Sequence, residues 1–223
     1  MTTLYKLTSA QGQTRGQTQW GPGIEHTASG EGPLCGPRYI HAYTDPLLAV
    51  LLNPIHVHFK DPLLWEADGD VRRTDHGLTV GCTRLRTDRT IPLPEISLAQ
   101  RIEIAIRCAL AVYPEPNFAA WAADWLSGQD RSAEAAARAS AREASAEAAE
   151  AAASARAAAR AASARAAALA SAEAAWASAE AEEEAAAEAA AEAAAAAAWA
   201  AAETGLCDLI AIVHQVVDRA SVT

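Results

Sequence analysis

The sequence predicts an α+β protein: a small mixed-sheet domain with packed helices, followed by an alanine-rich antiparallel helical extension. Most aromatic, proline, glycine and large aliphatic residues precede Gln129, so only that part can build an ordinary core. The stretch from Ser132 to Ala202 is mostly Ala, Glu, Arg and Ser without proline or glycine, and alanine is the best helix former. An apolar stripe at helical spacing follows it, which predicts a last helix that needs a surface to cover.

Short apolar segments bounded by turn residues predict strands between Thr3 and about Pro94. The predicted strands are residues 4–7, 39–43, 55–59, 63–67 and 78–85. Asp45-Pro46 has the chemistry of a helix start, so residues 47–52 are predicted to be helical, and Asn53-Pro54 is expected to end that helix. Asp68-Gly69-Asp70 is typical of a turn.

Composition and hydrophobic periodicity together divide the chain into three parts. The first is a β-rich N-terminal domain, residues 1–130, that includes helices 97–113 and 117–126. Residues 131–204 are predicted to form a helical hairpin or bundle, and residues 205–223 to form an amphipathic helix. That helix is expected to dock back on the Ser97–Leu126 region through its stripe of Leu206, Leu209, Ile210, Val213, Val216 and Val217.

Docking of the last helix requires the alanine-rich segment to run out and return. A single straight helix from Gly128 to Gly205 would separate its ends by ~110 Å. Residues 131–170 contain six Arg and four Glu, whereas residues 171–203 contain eight Glu and no Arg or Lys. An antiparallel pairing that bends near Leu169–Ser171 would place the Arg-bearing half beside the Glu-bearing half.

Composition also disfavours several classes of partner. A net charge of −10 argues against nucleic acid, because proteins that neutralise phosphates carry a basic surface. The alanine runs are interrupted by glutamates and are only weakly apolar, so no membrane span is expected. The four cysteines form no C-x-x-C pair, which predicts reduced thiols in a cytoplasm, that of the host cell if the chain is phage-encoded.

Motifs for nucleophilic, dinucleotide and phosphate-loop chemistry are missing from the sequence, so no catalytic residue is assigned. His56 and His58, two apart on a predicted strand, share a face and could supply two ligands to a metal. A third ligand could come from Cys35, His41 or His76, but no spacing enforces it. Structural or surface histidines are the favoured interpretation, and no metal or cofactor is expected.

A cluster of polar and aromatic residues from the first strand and the His41 strand is the candidate ligand site. Its members are Tyr5, Lys6, Arg15, Gln19, Trp20, His41 and Tyr43. Such side chains can hold a nucleotide-type ligand by stacking and charge-assisted hydrogen bonds. They are equally compatible with half-buried positions in a sheet.

Residues 1–95 resemble a domain of unknown function that is common in phage and prophage proteins. The resemblance rests on Tyr5-Lys6, Gly16-Gln17, Gln19-Trp20-Gly21, Leu34-Cys35, His41-Ala42, Asp45-Pro46-Leu47, Trp65-Glu66-Ala67 with Gly69, and Ile91-Pro92-Leu93-Pro94. The chain after Trp121 looks like the alanine-rich tails of putative immunity proteins. The Tyr-Lys strand and the strand–helix step from Tyr39 to Leu52 are similar in layout to ADP-ribosyltransferase-like folds, which implies binding of NAD or a related nucleotide.

The expected function is therefore that of a phage-associated, non-catalytic binding protein. It would engage a host protein or sequester a nucleotide-type small molecule, with the helical arm as an extra surface or a homo-oligomer contact. One alternative is a nucleotide- or NAD-utilising enzyme that works through the His41 and Tyr5 neighbourhood. Another is a structural protein whose helices only assemble an oligomer.

Overall fold

A computed structural model of the protein describes residues 3–149, 164, 166–175 and 184–220, and it describes their side chains except those of 142–149, 184–186 and 220. The chain divides into two compact units, Met1–Glu95 and Ile96–Thr223. An α+β fold is thereby confirmed, with the strands in the first unit. The boundary lies at Glu95 rather than near residue 130, because the helices that the sequence assigns to the N-terminal domain pack with the helices that follow them.

Residues 3–95, the described part of the first unit, form seven strands and one α-helix. The strands are β1 (Leu4–Thr8), β2 (Gln13–Thr14), β3 (Thr18–Gln19), β4 (Glu25–Thr27), β5 (Ile40–Tyr43), β6 (Leu63–Asp75) and β7 (Thr79–Ile91). Strands β2 and β3 form a small separate hairpin, and the other five form one sheet in the order β4-β7-β5-β1-β6. Pairings among these strands are antiparallel, so the sheet is antiparallel rather than mixed.

Four strands of the sheet close into a ring. Strand β7 pairs with β5, β5 with β1, β1 with β6, and β6 pairs back with β7. One buried cluster collects residues from all four of these strands, as expected for the inner face of such a ring. Its members are Leu4, Trp20, Ala42, Ala67, Val80, Cys82 and Leu85.

The helix of this unit, α1 (Pro46–His56), begins where the sequence predicts. Asp45 is its N-cap and accepts a hydrogen bond from the Leu47 backbone N–H at 2.8 Å. The predicted stop at Asn53-Pro54 and the predicted strand 55–59 are wrong, because α1 runs through Pro54 to His56. The Asn53 side chain accepts from the Phe59 N–H and donates to the Phe59 carbonyl, so it closes the loop that follows the helix.

The predicted turn at Asp68-Gly69-Asp70 is also wrong, because these residues lie inside β6. Gly69 pairs with Leu85, and the register shifts on both sides of it, as in β-bulges. A Cβ atom on Gly69 would lie 2.6 Å from the Arg84 carbonyl oxygen. Glycine is therefore needed here for close approach between two backbones and not for a reversal of the chain.

The described part of the second unit is helical. Its helices are α2 (Leu98–Val112), α3 (Pro116–Ser127), α4 (Ala133–Ala149), α5 (residues 166–175), α6 (Glu184–Glu203) and α7 (Leu209–Ala220). A capping box between Ser97 and Gln100 starts α2, with bonds of 3.2 and 2.8 Å. Gly128 ends α3 in the left-handed conformation, at φ 79°.

Helix α2 is the centre of this unit, because α3, α6 and α7 all pack against it. Alanines on one face of α6 are fully buried, which allows close helix packing. Helix α7 buries Leu209, Val213 and Val216. Leu206, which the sequence places in the same stripe, lies before α7 and is 70% exposed.

The bend that the sequence predicts in the alanine-rich segment, near Leu169–Ser171, is wrong, because residues 166–175 form an uninterrupted stretch of helix. The expected contact between the Arg-bearing and Glu-bearing halves depends mainly on side chains between 142 and 186, most of which lie outside the described residues. Within the described ranges, no helix combines the length and apolarity that a membrane crossing requires.

Candidate functional site

Lys6 is the most unusual charged residue of the candidate site. It lies on β1 one residue after Tyr5 and shares its face of the strand with Leu4, which belongs to the inner cluster. Its Nζ atom donates a hydrogen bond to the His41 carbonyl oxygen at 2.6 Å. Burial lowers the pKa of the Lys6 ammonium to about 8, against a weaker opposing effect of Cys82. The amine is therefore still mostly protonated at neutral pH.

Trp20 forms one wall beside this amine. The Lys6 Nζ lies 5.3 Å from the centroid of the Trp20 ring, a distance suited to a cation–π contact. The indole is itself held in place, since its N–H donates to the Thr14 hydroxyl at 3.0 Å and His26 packs edge-on at 4.6 Å. With only 3% of its surface exposed, Trp20 presents no free face for stacking a base.

Tyr5 and Tyr43 occupy the opposite face of the sheet. They are directly paired across β1 and β5, and their neighbours Lys6 and Ala42 point the other way. Tyr43 stacks on His56 of α1, with ring centroids 5.8 Å apart. Burial raises the pKa of Tyr43, and burial followed by the charges of Glu66 and Asp45 raises that of Tyr5.

The three remaining predicted residues are Gln19, His41 and Arg15. Gln19 lies on β3, and its side-chain amide donates to the Gln11 and Trp20 carbonyl oxygens at 3.0 and 3.1 Å. His41 is exposed, and its Nε2 lies 2.6 Å from the Leu34 carbonyl oxygen, so Lys6 meets its backbone and not its imidazole. Arg15 is exposed in the turn that joins β2 and β3. The structure thus joins Lys6, Trp20 and the His41 carbonyl on one face, places Tyr5 and Tyr43 on the other, and leaves Arg15 in a separate hairpin.

His56 and His58 do not have the strand geometry on which the metal hypothesis rests. His56 is the last residue of α1 and His58 follows it in a left-handed conformation, so they do not alternate on a strand. Among the described residues, no group of three or more His, Cys, Asp or Glu side chains is arranged to hold a metal ion.

Sequence reasoning missed an ion-pair network on the outer surface of the sheet. Arg84 contacts Asp68 at 2.8 Å, Asp70 at 3.2 Å and Glu25 at 3.2 Å. Hydrogen bonding to Arg84 lowers the pKa of Asp68. Asp68 and Asp70, which have the composition of a solvated turn, are instead partners of the Arg84 guanidinium, because β6 pairs with β7 at these positions. Only knowledge of the strand register could have predicted this network.

Comparison with protein-family models, with curated proteins and with solved structures finds no significant match to this chain.

Proposed function

We propose that the protein is a non-catalytic binding protein that holds an anionic group, such as the phosphate of a nucleotide-type ligand, at Lys6. The observation that carries the proposal is a half-buried ammonium group with no carboxylate in ion-pair distance among the described residues. Its acceptor in the structure is the neutral His41 carbonyl.

Electrostatics explain why an anion would bind there. Removing an ammonium group from water is costly unless an opposite charge accompanies it, and the lowered pKa of Lys6 reflects that cost. A bound phosphate or carboxylate would supply the missing charge and would be held by a charge-assisted hydrogen bond. Since Trp20 is buried, the ligand would be recognised through its anionic group more than through its base.

The binding hypothesis is favoured over the enzyme hypothesis by the separation of the candidate residues. An enzyme working through His41 and Tyr5 would need both side chains at one reacting centre with Lys6. Binding needs only the positioned cation. The proposal also includes an association with phage and a host factor as the source of the anion. Both come from the resemblance of residues 1–95 to a domain that is common in phage and prophage proteins.

Calorimetric titration of the full chain with ADP and with inorganic pyrophosphate tests the proposal. Lys6→Met should weaken binding about tenfold or more, the usual effect of losing a charged hydrogen bond. Lys60→Met is the matched control, because the chain contains only these two lysines and Lys60 is exposed in a loop. Absence of binding at millimolar ligand, or equal loss in both variants, would contradict the proposal.

A further inference from the structure

Two of the four cysteines meet in the second unit. Cys108 lies on α2 and is fully buried, and Cys207 lies in the short connection between α6 and α7 and is half-buried. The Cys108 thiol donates a hydrogen bond to the Cys207 sulfur, so the two side chains are in direct contact. Both cysteines are free thiols. The fold therefore holds two reduced sulfurs side by side that lie far apart in the sequence.

The packing of α7 on α2 accounts for this contact. Arg219 lies in the last turn of α7, and its Nη1 is 3.8 Å from the Glu103 Oε1 of α2. Cys207, just before the first turn of α7, meets Cys108 further along α2. The two contacts follow opposite orders along the two helices, so α7 runs antiparallel to α2. Leu209, at the start of α7, is buried, so the chain beside Cys207 is anchored in the helical core.

The two thiols have different properties, which suit two successive steps of an oxidation. The hydrogen bond from Cys108 lowers the pKa of Cys207, against the opposing effects of burial and of the Asp208 charge. The same contact, and then burial, raise the pKa of Cys108. The thiolate is the form that attacks an oxidant, and Cys207 is the more accessible of the two. Cys108 is protonated and buried, so it is shielded from direct oxidation while it touches the reactive sulfur.

We propose that Cys207 and Cys108 form a peroxide-sensitive pair, in which Cys207 reacts with hydrogen peroxide and Cys108 then closes a disulfide. In the first step the Cys207 sulfur attacks one peroxide oxygen and the O–O bond breaks. This step gives a sulfenic acid, and the other oxygen takes up the Cys207 proton and leaves as water. In the second step the Cys108 sulfur attacks the sulfenic sulfur, the S–O bond breaks, and the hydroxyl leaves as water with the Cys108 proton. Two thiols are oxidised and one hydrogen peroxide is reduced to two waters.

The disulfide clamps the connection between α6 and α7 to α2. It closes a loop of about 100 residues, and a cross-link across so long a loop strongly restricts the unfolded chain. Because α3, α6 and α7 pack on α2, the clamp acts on the centre of the second unit. Thiols reverse the bond, so the stability of this unit follows the peroxide level. The pair is separate from the anion site at Lys6.

Tryptic peptide mapping of the peroxide-treated full chain tests the pairing, because trypsin places each cysteine in a different peptide. Cys108 lies in the peptide of residues 108–131, and Cys207 in that of residues 166–219. A Cys35→Ser background removes the exposed thiol that could link separate molecules. In this parent protein peroxide should join the two peptides with loss of two hydrogens, and dithiothreitol should release them. Recovery of both peptides unlinked, with or without oxidation of Cys207, overturns the proposal.

Dimedone, which traps sulfenic acids, tests the order of the two steps. In Cys108→Ala the sulfenic acid of Cys207 has no thiol to resolve it, so its dimedone adduct should increase at least severalfold over the parent protein. Cys82→Ala removes the other buried thiol and is the matched control, which should behave as the parent. Equal trapping in the parent and in Cys108→Ala overturns the role of Cys108.

Thermal melts test the clamp. The oxidised parent protein should melt about 5 °C or more above the same protein reduced with dithiothreitol. Cys207→Ser cannot form the bond and should melt at the same temperature after either treatment. A link in the peptide map without a rise in melting temperature overturns the clamp.

Discussion

Tyr43 and His56 are stacked with their ring planes inclined by 16°, and the tyrosine hydroxyl lies 3.1 Å from the imidazole Nδ1. The pair joins β5 to the end of α1. Burial, and then the nearby charge of His41, lowers the pKa of His56. A neutral imidazole can accept the hydrogen bond of the hydroxyl at Nδ1, and a protonated one cannot.

This stack predicts a loss of stability in mild acid. The unfolded chain takes up a proton at His56 near its ordinary pKa of 6.5, whereas the folded chain does so at a lower pH. The stability present above pH 6.5 is therefore lost as the pH falls through the folded pKa. Thermal melts at about pH 7.5 and about pH 5 should show a smaller drop in His56→Gln than in the wild type. His58→Gln, outside the stack, should keep the full drop; equal drops in all three proteins would contradict the prediction.

The lowered pKa of Lys6 predicts that stability also rises with pH in a second, basic window. Between about pH 8, the folded pKa, and 10.5, the ordinary value, the unfolded chain holds a proton that the folded chain has lost, so stability rises with pH across that window. At neutral pH the unfolding free energy of Lys6→Met should exceed that of the wild type by about 1–3 kcal/mol. Near pH 10 this difference should be smaller. Urea titrations of both proteins at the two pH values measure this. A difference that does not change with pH would refute the assignment.

Gly69→Ala should destabilise the first unit by about 1–3 kcal/mol, because the new Cβ would overlap the Arg84 carbonyl oxygen and the Leu85 side chain. The urea midpoint of the variant measures the loss. Gly16→Ala is the comparison, since a Cβ there meets no atom within 4 Å and only its φ of 73° is unfavourable. If Gly69→Ala leaves the midpoint unchanged, the two backbones do not approach as described.

The four cysteines should react in a defined order. Cys207 has a lowered pKa, because the Cys108 thiol donates a hydrogen bond to it, and this contact raises the pKa of Cys108. Burial raises the pKa of Cys82 to about 11. Iodoacetamide at neutral pH should therefore modify Cys207 and the exposed Cys35 before the other two, as peptide mass spectrometry would show.

A Cys108→Ala variant isolates that hydrogen bond. Alkylation of Cys207 should slow in Cys108→Ala and stay unchanged in Cys82→Ala. An unchanged rate in the first variant would contradict the contact between the two thiols.

Two leucines near the C-terminal helix provide a matched test of its packing. Leu209 is 1% exposed and Leu206 is 70% exposed. Leu209→Ala should lower the unfolding free energy by about 2–4 kcal/mol. Leu206→Ala should change it by no more than about 0.5 kcal/mol. Chemical denaturation of both variants measures the difference. Similar losses at the two positions would contradict the packing of α7.

Local signals predicted the fold best where one short segment determines the outcome. Asp45-Pro46 predicts the start of α1 by chemistry that operates within a few residues, and Asp45 is the N-cap in the structure. The errors arise where distant partners decide. Asp68-Gly69-Asp70 has turn composition, but pairing with β7 keeps it extended.

The candidate site shows the same limit. The sequence identified Lys6 and Trp20 as members of a polar aromatic group, and the structure does bring them together. It could not predict that Tyr5 and Tyr43 lie on the other face, because that depends on strand register across the sheet.

The closed ring of strands constrains how the first unit can fold during synthesis. Leu4 of β1 pairs with Ala67, and Tyr5 pairs with Tyr43, so β1 has no strand partner on the ribosome until much of the unit has emerged. The hairpin of β6 and β7 needs only neighbouring residues and can form first. Such dependence on distant contacts slows folding. Until its partner strands are made, β1 exposes unpaired backbone N–H and C=O groups with which other chains can pair. The rate at which β1 closes the ring then sets how long a newly made chain is exposed to aggregation.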